Sequence, residues 1–193
     1  NDVYFHSVEV IEGNISVDKV YTFEVDQERR YDITRNHSAT HLLDQALRDV
    51  LGDEITQAGS LVDPNKLRFD FTYNEALTSE QKRKIEDIIN EKIREQLPVK
   101  KEVVSYKQSQ EMGAIGLFED KYKENVRVVS IGDYSKELCG GCHVNSSSDI
   151  LIFKIVSESS VSAGVRRIEA ITGKKVYDLL QNQKEGLNQI ANS

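Results

Sequence analysis

The sequence predicts an α+β fold, a two-layer sandwich of antiparallel sheet and long helices with a small N-terminal β unit. Three observations lead there. Leu67-Arg-Phe-Asp-Phe-Thr72 alternates apolar and polar side chains strictly, as a strand packed on one face does. Residues 36–52 and 78–97 instead carry apolar side chains at three- and four-residue steps, the period of a helix with one buried stripe. Strand-like and helix-like runs then follow one another without regular βαβ alternation, which disfavours a parallel, doubly wound sheet.

Each element has its own signal. Val3 to Ile11 and Ile15 to Val25 alternate around Glu12-Gly13-Asn14 and read as a β-hairpin. From Asn36 to Gly52, Ala39, Leu43, Ala46, Leu47, Val50 and Leu51 form the apolar stripe of a helix. Thr78-Ser-Glu-Gln81 is a capping-box pattern that opens the longest helix; Ile85, Ile88, Ile89, Ile93 and Leu97 line its buried face, and Pro98 stops it. Further strands are expected at 100–106, 126–131, 150–156 and 165–171, and a last helix over about 174–190. The organisation that follows is an N-terminal β unit at 1–33, part of a small barrel-like subdomain, a core at 34–173, and a C-terminal helix at 174–193. The join falls near residues 26–34. The chain opens at Asn1, inside a strand-like run, and is read as a piece of something larger.

Composition bounds the function. Hydrophobic residues make up 38% of the 193, enough for one substantial core. No run approaches the roughly 20 apolar residues of a membrane span, and the chain is expected in the cytoplasm. Net charge is −7, and residues 1–33 hold eight acidic against three basic side chains, so overall charge does not advertise a nucleic-acid binder. Lys82-Arg83-Lys84, Lys100-Lys101, Arg166-Arg167 and Lys174-Lys175 are local cationic groups that could each meet a phosphate, although solvated faces explain most such runs.

The chemistry concentrates in two short segments. His37-Ser-Ala-Thr-His41 places two imidazoles one helical turn apart on a shared face, the spacing of helical metal sites; a plain helix flank is the rival reading. Cys139-Gly-Gly-Cys-His143 follows the apolar run 126–131 and reads as a loop, its glycines letting close-set donors converge. Thiols and imidazoles suit a tetrahedral Zn(II) shell. Cys139-x-x-Cys142 also has redox-dithiol spacing, but the helical context of such a motif is missing. Both cysteines and three of the four histidines lie in these segments, and the cysteines fit ligands in a reducing compartment better than a disulfide. Ser38 and Thr40 are expected to hydrogen-bond the helix backbone. Arg166 and Arg167 follow alternate faces of a strand, so one is available to a phosphate and the other to an internal acid.

A resemblance now enters on six stretches: Arg35-Asn-His-Ser-Ala-Thr-His-Leu-Leu43, Gln57-Ala-Gly-Ser-Leu-Val62, Leu67-Arg-Phe-Asp-Phe71, Gly113-Ala through Phe118-Glu-Asp-Lys-Tyr122, Glu137-Leu-Cys-Gly-Gly-Cys-His143 and Gly164-Val-Arg-Arg-Ile-Glu-Ala170. Together they resemble the editing domain of alanyl-tRNA synthetase, within the threonyl/alanyl-tRNA synthetase second additional domain family, to which free-standing alanyl-tRNA editing proteins are also related. The last stretch favours the alanyl branch.

The resemblance implies a hydrolase acting on mischarged seryl- or glycyl-tRNA(Ala), with one zinc ion on His37, His41, Cys139 and His143. It implies that residues 34–173 are a zinc-containing editing core and that Gln57 positions the seryl group or ester. The partners would be the tRNA(Ala) acceptor end and the rest of the synthetase, with no membrane. An aminoacylation domain, the part that uses ATP, would precede Asn1, and a tRNA-binding and oligomerisation region would follow Ser193, so no ligase activity is expected of this chain. Arg166, Arg167, Cys142 and Gly113 are the further candidates for tRNA or substrate contact, Gly113 as a pocket lip or a plain helix terminator. Cys142 stands where the family usually has threonine, Ser38 where threonine is common and Asp44 where histidine is common. Two other readings stay open: a structural zinc module that binds tRNA without hydrolysis, and a free-standing factor that edits in trans.

Overall fold

The computed structural model describes residues 5–116 and 124–191. Four helices and seven strands follow in the order α1 (Gln27–Leu51), β1 (Gln57–Val62), β2 (Leu67–Thr72), α2 (Ser79–Arg94), β3 (Val99–Ser105), α3 (Tyr106–Glu111), β4 (Asn125–Ile131), β5 (Ser135–Leu138), β6 (Phe153–Ser162), β7 (Val165–Thr172) and α4 (Lys174–Ala191), with a 3-10 turn at Ser147–Ile150. The strands form two antiparallel sheets, ordered β1-β2-β7-β6 and β3-β4-β5. Helices and antiparallel sheets together make the expected α+β fold.

The core follows from two periodicities meeting. Leu67, Phe69 and Phe71 of β2 are fully buried and sit opposite Ala170, Ile168 and Arg166 of β7. Ala39, Leu42, Leu43, Ala46 and Leu47 of α1, with Ile85, Ile89 and Ile93 of α2, join these residues in one apolar cluster. Burying a Leu, Ile or Phe side chain contributes about 1.5–3 kcal/mol, so this seam holds helices to sheet. Thr78 caps α2 through the anticipated reciprocal bonds with Gln81. At the end of α1 the chain turns through Gly52, whose φ of +117° disfavours any side chain.

Two departures matter for the site. The hairpin expected at 3–25 is not formed: the described residues 5–25 contain no strand and are exposed, Ile11 at 95% and Val20 at 99%. Alternation specifies a face, but an isolated two-stranded ribbon with nothing to bury that face against is marginal in water. Helix α1 starts at Gln27, capped by Asp26, nine residues before Asn36, where the sequence reading began it, and runs unbroken to Leu51. Its first turns are polar, which hid them from a search for apolar periodicity. The strand expected at 150–156 starts at Phe153, after the 3-10 turn. Strand β5 and helix α3 are too short to show a period, and β1, Gln57-Ala-Gly-Ser-Leu-Val62, does not alternate apolar and polar residues.

One buried amide ties the helix to the sheet beside the first histidine. Asn36 donates from Nδ2 to the Asp63 carbonyl and accepts at Oδ1 from the Thr172 hydroxyl, both at 2.8 Å. Replacing Asn36 by Ala leaves two buried partners unsatisfied and is expected to lower stability by about 1–3 kcal/mol, read from the urea unfolding midpoint.

Candidate metal centre

His37 and His41 lie on consecutive turns of α1, and Cys139 and His143 on the loop that leaves β5. Folding brings the four together: one donor atom from each lies within 4.8 Å of every other. Cys139 Sγ is 3.4 Å from His37 Nε2 and 3.3 Å from His143 Nε2. The three rings surround a common point, with centroids 4.2 to 5.5 Å apart. Cys142 lies outside this set. It is exposed, and its Sγ accepts a 3.3 Å hydrogen bond from Arg30.

The loop closes tightly over the helix. A Cβ on Gly141 would lie 1.9 Å from His37 Cε1, so only glycine fits there. Arg127 of β4 donates from Nη1 to the carbonyls of Cys139 at 3.0 Å and Gly141 at 2.7 Å, and accepts at its own carbonyl from the Cys139 amide. Lys101 of β3 holds the far end through the His143 carbonyl and Asn145 Oδ1, each at 3.0 Å.

The ring nitrogens differ in their partners. His143 Nδ1 lies 3.1 Å from Ser38 Oγ, which accepts from the Val144 amide at 3.1 Å as well. With Nε2 turned to the cluster, Nδ1 carries the proton and donates to that hydroxyl. His37 has a hydrogen bond with the Cys142 backbone. His41 Nε2 lies 3.4 Å from the Glu137 carboxyl, while its Nδ1 is buried without a partner. Ser38 thus differs from expectation, bonding the loop rather than the helix backbone; Thr40 does bond the helix, donating to the Asn36 carbonyl.

Electrostatics favour the ligating form of each imidazole. Burial, then Arg127, lowers the pKa of His37. Burial, then His37, pushes His41 down to about 3, and burial followed by the neighbouring histidines and cations lowers His143. All three are neutral at pH 7, with a lone pair free for a cation. Burial raises the Cys139 thiol, and burial followed by the Asp44 charge raises Glu137 to about 8. An orphaned buried ring nitrogen, three neutral imidazoles and a thiol within reach of one point fit a metal ion.

The other candidates are not among the four donors. Gln57 opens β1 at the sheet edge and donates to Ser60 Oγ. Arg166 pairs with Glu158, and Arg167 makes a bidentate pair with Asp70 at 2.7 and 2.8 Å, so both strand arginines meet acids. Gly113 follows α3 at φ +70° with open space around it, and its amide donates to the Gln110 carbonyl, as a helix terminator does. Residues 117–122 of its stretch lie outside the described residues. Asp44 is buried beside Arg48, 3.5 Å away. The sequence reading gave Ser38 a helix-backbone bond and Lys101 a place in a cationic pair, not their roles at the loop, and it missed Arg127 and Glu137. Glu137 left a trace: with Ser135 it makes an alternating polar pair, buried on one face of β5.

Two substitutions test the geometry. Gly141→Ala is expected to keep the fold by circular dichroism while abolishing stoichiometric metal uptake, because its methyl occupies the His37 ring position. Ser38→Ala is expected to weaken metal affinity by about 10–100-fold in a competition titration with a chromogenic chelator, as loss of a ligand-orienting bond typically does.

Residues 126–169 match the family described as Threonyl and Alanyl tRNA synthetase second additional domain. Over 191 residues, 99% of the chain, it is 51% identical to an alanine-tRNA ligase of Enterococcus faecalis. It is 50% identical over 96% of its length to that of Desulforamulus reducens, and 52% over 91% to that of Fervidobacterium nodosum. The chain spans 22%, 21% and 20% of the lengths of these three relatives. No helix among the described residues is long and apolar enough to cross a membrane. Family match and identity along nearly the whole chain agree: it belongs to the threonyl and alanyl tRNA synthetase second additional domain family, in the form found within alanine-tRNA ligases.

Proposed function

We propose that the chain is an aminoacyl-tRNA editing hydrolase that releases serine or glycine from mischarged tRNA(Ala), acts in the cytoplasm with the rest of an alanyl-tRNA synthetase, and holds one zinc ion on His37, His41, Cys139 and His143. The observation that carries this reading is the convergence of those four donors from two segments a hundred residues apart. The need for such a site is physical. A pocket selecting alanine must admit glycine and rejects serine poorly, because one added hydroxyl gives limited discrimination. A second, hydrolytic pocket corrects the error if it hydrogen-bonds the seryl hydroxyl, which a methyl group cannot satisfy.

Bound zinc supplies positive charge that polarises a nearby carbonyl or water. The chain's own residues set the geometry. Gly141 lets the loop backbone pass against His37, Arg127 and Lys101 fix that loop, and Ser38 holds the His143 ring. Cys142 presents a small, weakly polar wall beside the cluster. Gln57 is assigned to substrate positioning on the family resemblance alone.

The donor count favours a second reading. Four protein ligands complete a tetrahedral shell, whereas catalytic zinc usually keeps an open position, so the ion could instead staple helix to loop in a module that binds tRNA without hydrolysing it.

Deacylation separates the two. The chain is expected to release serine from seryl-tRNA(Ala), to spare alanyl-tRNA(Ala), and to slow by about 100-fold or more in Cys139→Ala, with loss of zinc measured alongside. Full turnover by zinc-free Cys139→Ala would reject the role of the metal. Stoichiometric tRNA binding without turnover would establish the staple.

A further inference from the structure

An imidazole that ligates a cation uses one nitrogen and carries its proton on the other, so something must hold that second nitrogen. For two rings of the cluster the partner is plain. His143 turns Nε2 to Cys139 and Nδ1 to the Ser38 hydroxyl, and His37 turns Nε2 to Cys139 and bonds the Cys142 backbone. His41 is arranged differently. Its Nε2 lies 3.4 Å from Glu137 Oε2, and its Nδ1 is the nitrogen left buried without a partner.

Glu137 has no ion pair to explain its place. Its side chain is buried, and no Lys or Arg lies within ion-pair distance of it among the described residues. Arg48 is paired with Asp44 instead, and the other Glu137 oxygen accepts from the Ser135 hydroxyl at 3.4 Å. Burying a carboxyl without a cation costs stability, so a different task must keep it there. The strand is built to hold it. On one edge of β5, Glu137 sits opposite Val129 of β4; on the other, the Ile115 amide donates to the Lys136 carbonyl and the Leu138 amide to the Ile115 carbonyl, so the peptides on both sides of Glu137 are gripped. Cys139 follows two residues later, and one short segment thus brings a thiol to His37 and an acid to His41.

We propose that Glu137 is a positioning residue of the metal centre: it accepts a hydrogen bond from the His41 Nε2–H and so leaves Nδ1 as the nitrogen that His41 offers to the ion. His41 then differs from His37 and His143, which offer Nε2. A carboxyl oxygen accepts in either protonation state, so the assignment does not turn on the charge of Glu137. Histidine ligands hand their other N–H to a carboxyl, carbonyl or water, which fixes both tautomer and ring orientation. The inference deepens the zinc reading and rests on it for its purpose, but the tautomer is a property of the chain without metal.

The test takes the whole chain, labelled with 15N at its four histidines and stripped of metal, and reads it at pH 7 by long-range 1H–15N correlation, with the His41 signals identified by their loss in His41→Asn. The His41 proton is expected on Nε2, with Nδ1 bare. Glu137→Gln keeps an acceptor oxygen and is expected to keep that pattern. Glu137→Leu has a similar volume and no acceptor; it should redistribute the proton between the two nitrogens and weaken zinc binding by about 10–100-fold in a chelator competition. A purely structural role would move the unfolding midpoint of Glu137→Leu and leave tautomer and affinity alone. That result, or a proton on Nδ1 in the unaltered chain, would overturn the assignment, and the latter readout decides even where Glu137→Leu does not fold. Failure of the zinc reading looks different: no zinc uptake by an unaltered chain with its His41 proton on Nε2 refutes that reading and leaves the pairing with Glu137 standing. Zinc uptake with the proton on Nδ1 does the reverse.

Discussion

A single hydroxyl joins the two halves of the centre. Ser38, between the two helical histidines, receives the Val144 amide and the His143 ring together, so the loop is registered against the helix at the point where its last donor emerges. Arg127 and Lys101 then fix the loop from the opposite side through the carbonyls of Cys139, Gly141 and His143, with Asn145 Oδ1 as a further acceptor from Lys101. A loop held by its backbone leaves its side chains free for a ligand. At Gly141 the loop backbone passes so close to the His37 imidazole that a side chain there would overlap the ring.

Legibility in the sequence tracked how local each interaction is. The strand at 67–72, the capping box at Thr78 and the buried Ile85, Ile89 and Ile93 of α2 are properties of neighbouring residues and stand as read, but α2 ends at Arg94, before Leu97 and Pro98, and α1 rather than α2 is the longest helix among the described residues. The two donor segments were legible because ligand chemistry restricts residue type and spacing, while the choice of Cys139 over Cys142 came from the family resemblance. What was not legible is tertiary. Whether Ser38 bonds its own helix or a strand-end loop more than a hundred residues on depends on packing that no periodicity records. Arg127 looked like one more polar position in a strand. The hairpin at 3–25 failed for the complementary reason, since its alternating pattern is real but has no surface to pack on among the described residues.

The charges divide along the same line. On the β2–β7 face Asp70 grips Arg167, whereas beside the donors Arg30, Lys101 and Arg127 rest on neutral acceptors. Behind the donors the Glu137 carboxyl is buried 3.4 Å from the His41 ring, and burial followed by the Asp44 charge raises its pKa to about 8, so it is protonated at pH 7.

The separation of the two donor segments also dictates an order of assembly. Helix α1 can present its histidine pair early, but a lone pair of imidazoles grips a cation weakly. The remaining donors arrive only after a chain excursion of roughly 100 residues has closed, a step with its own entropic cost. Capture of a cation by all four donors would accordingly be a late event in maturation, and the filled centre would act as a crosslink that ties the start of the domain to its far end.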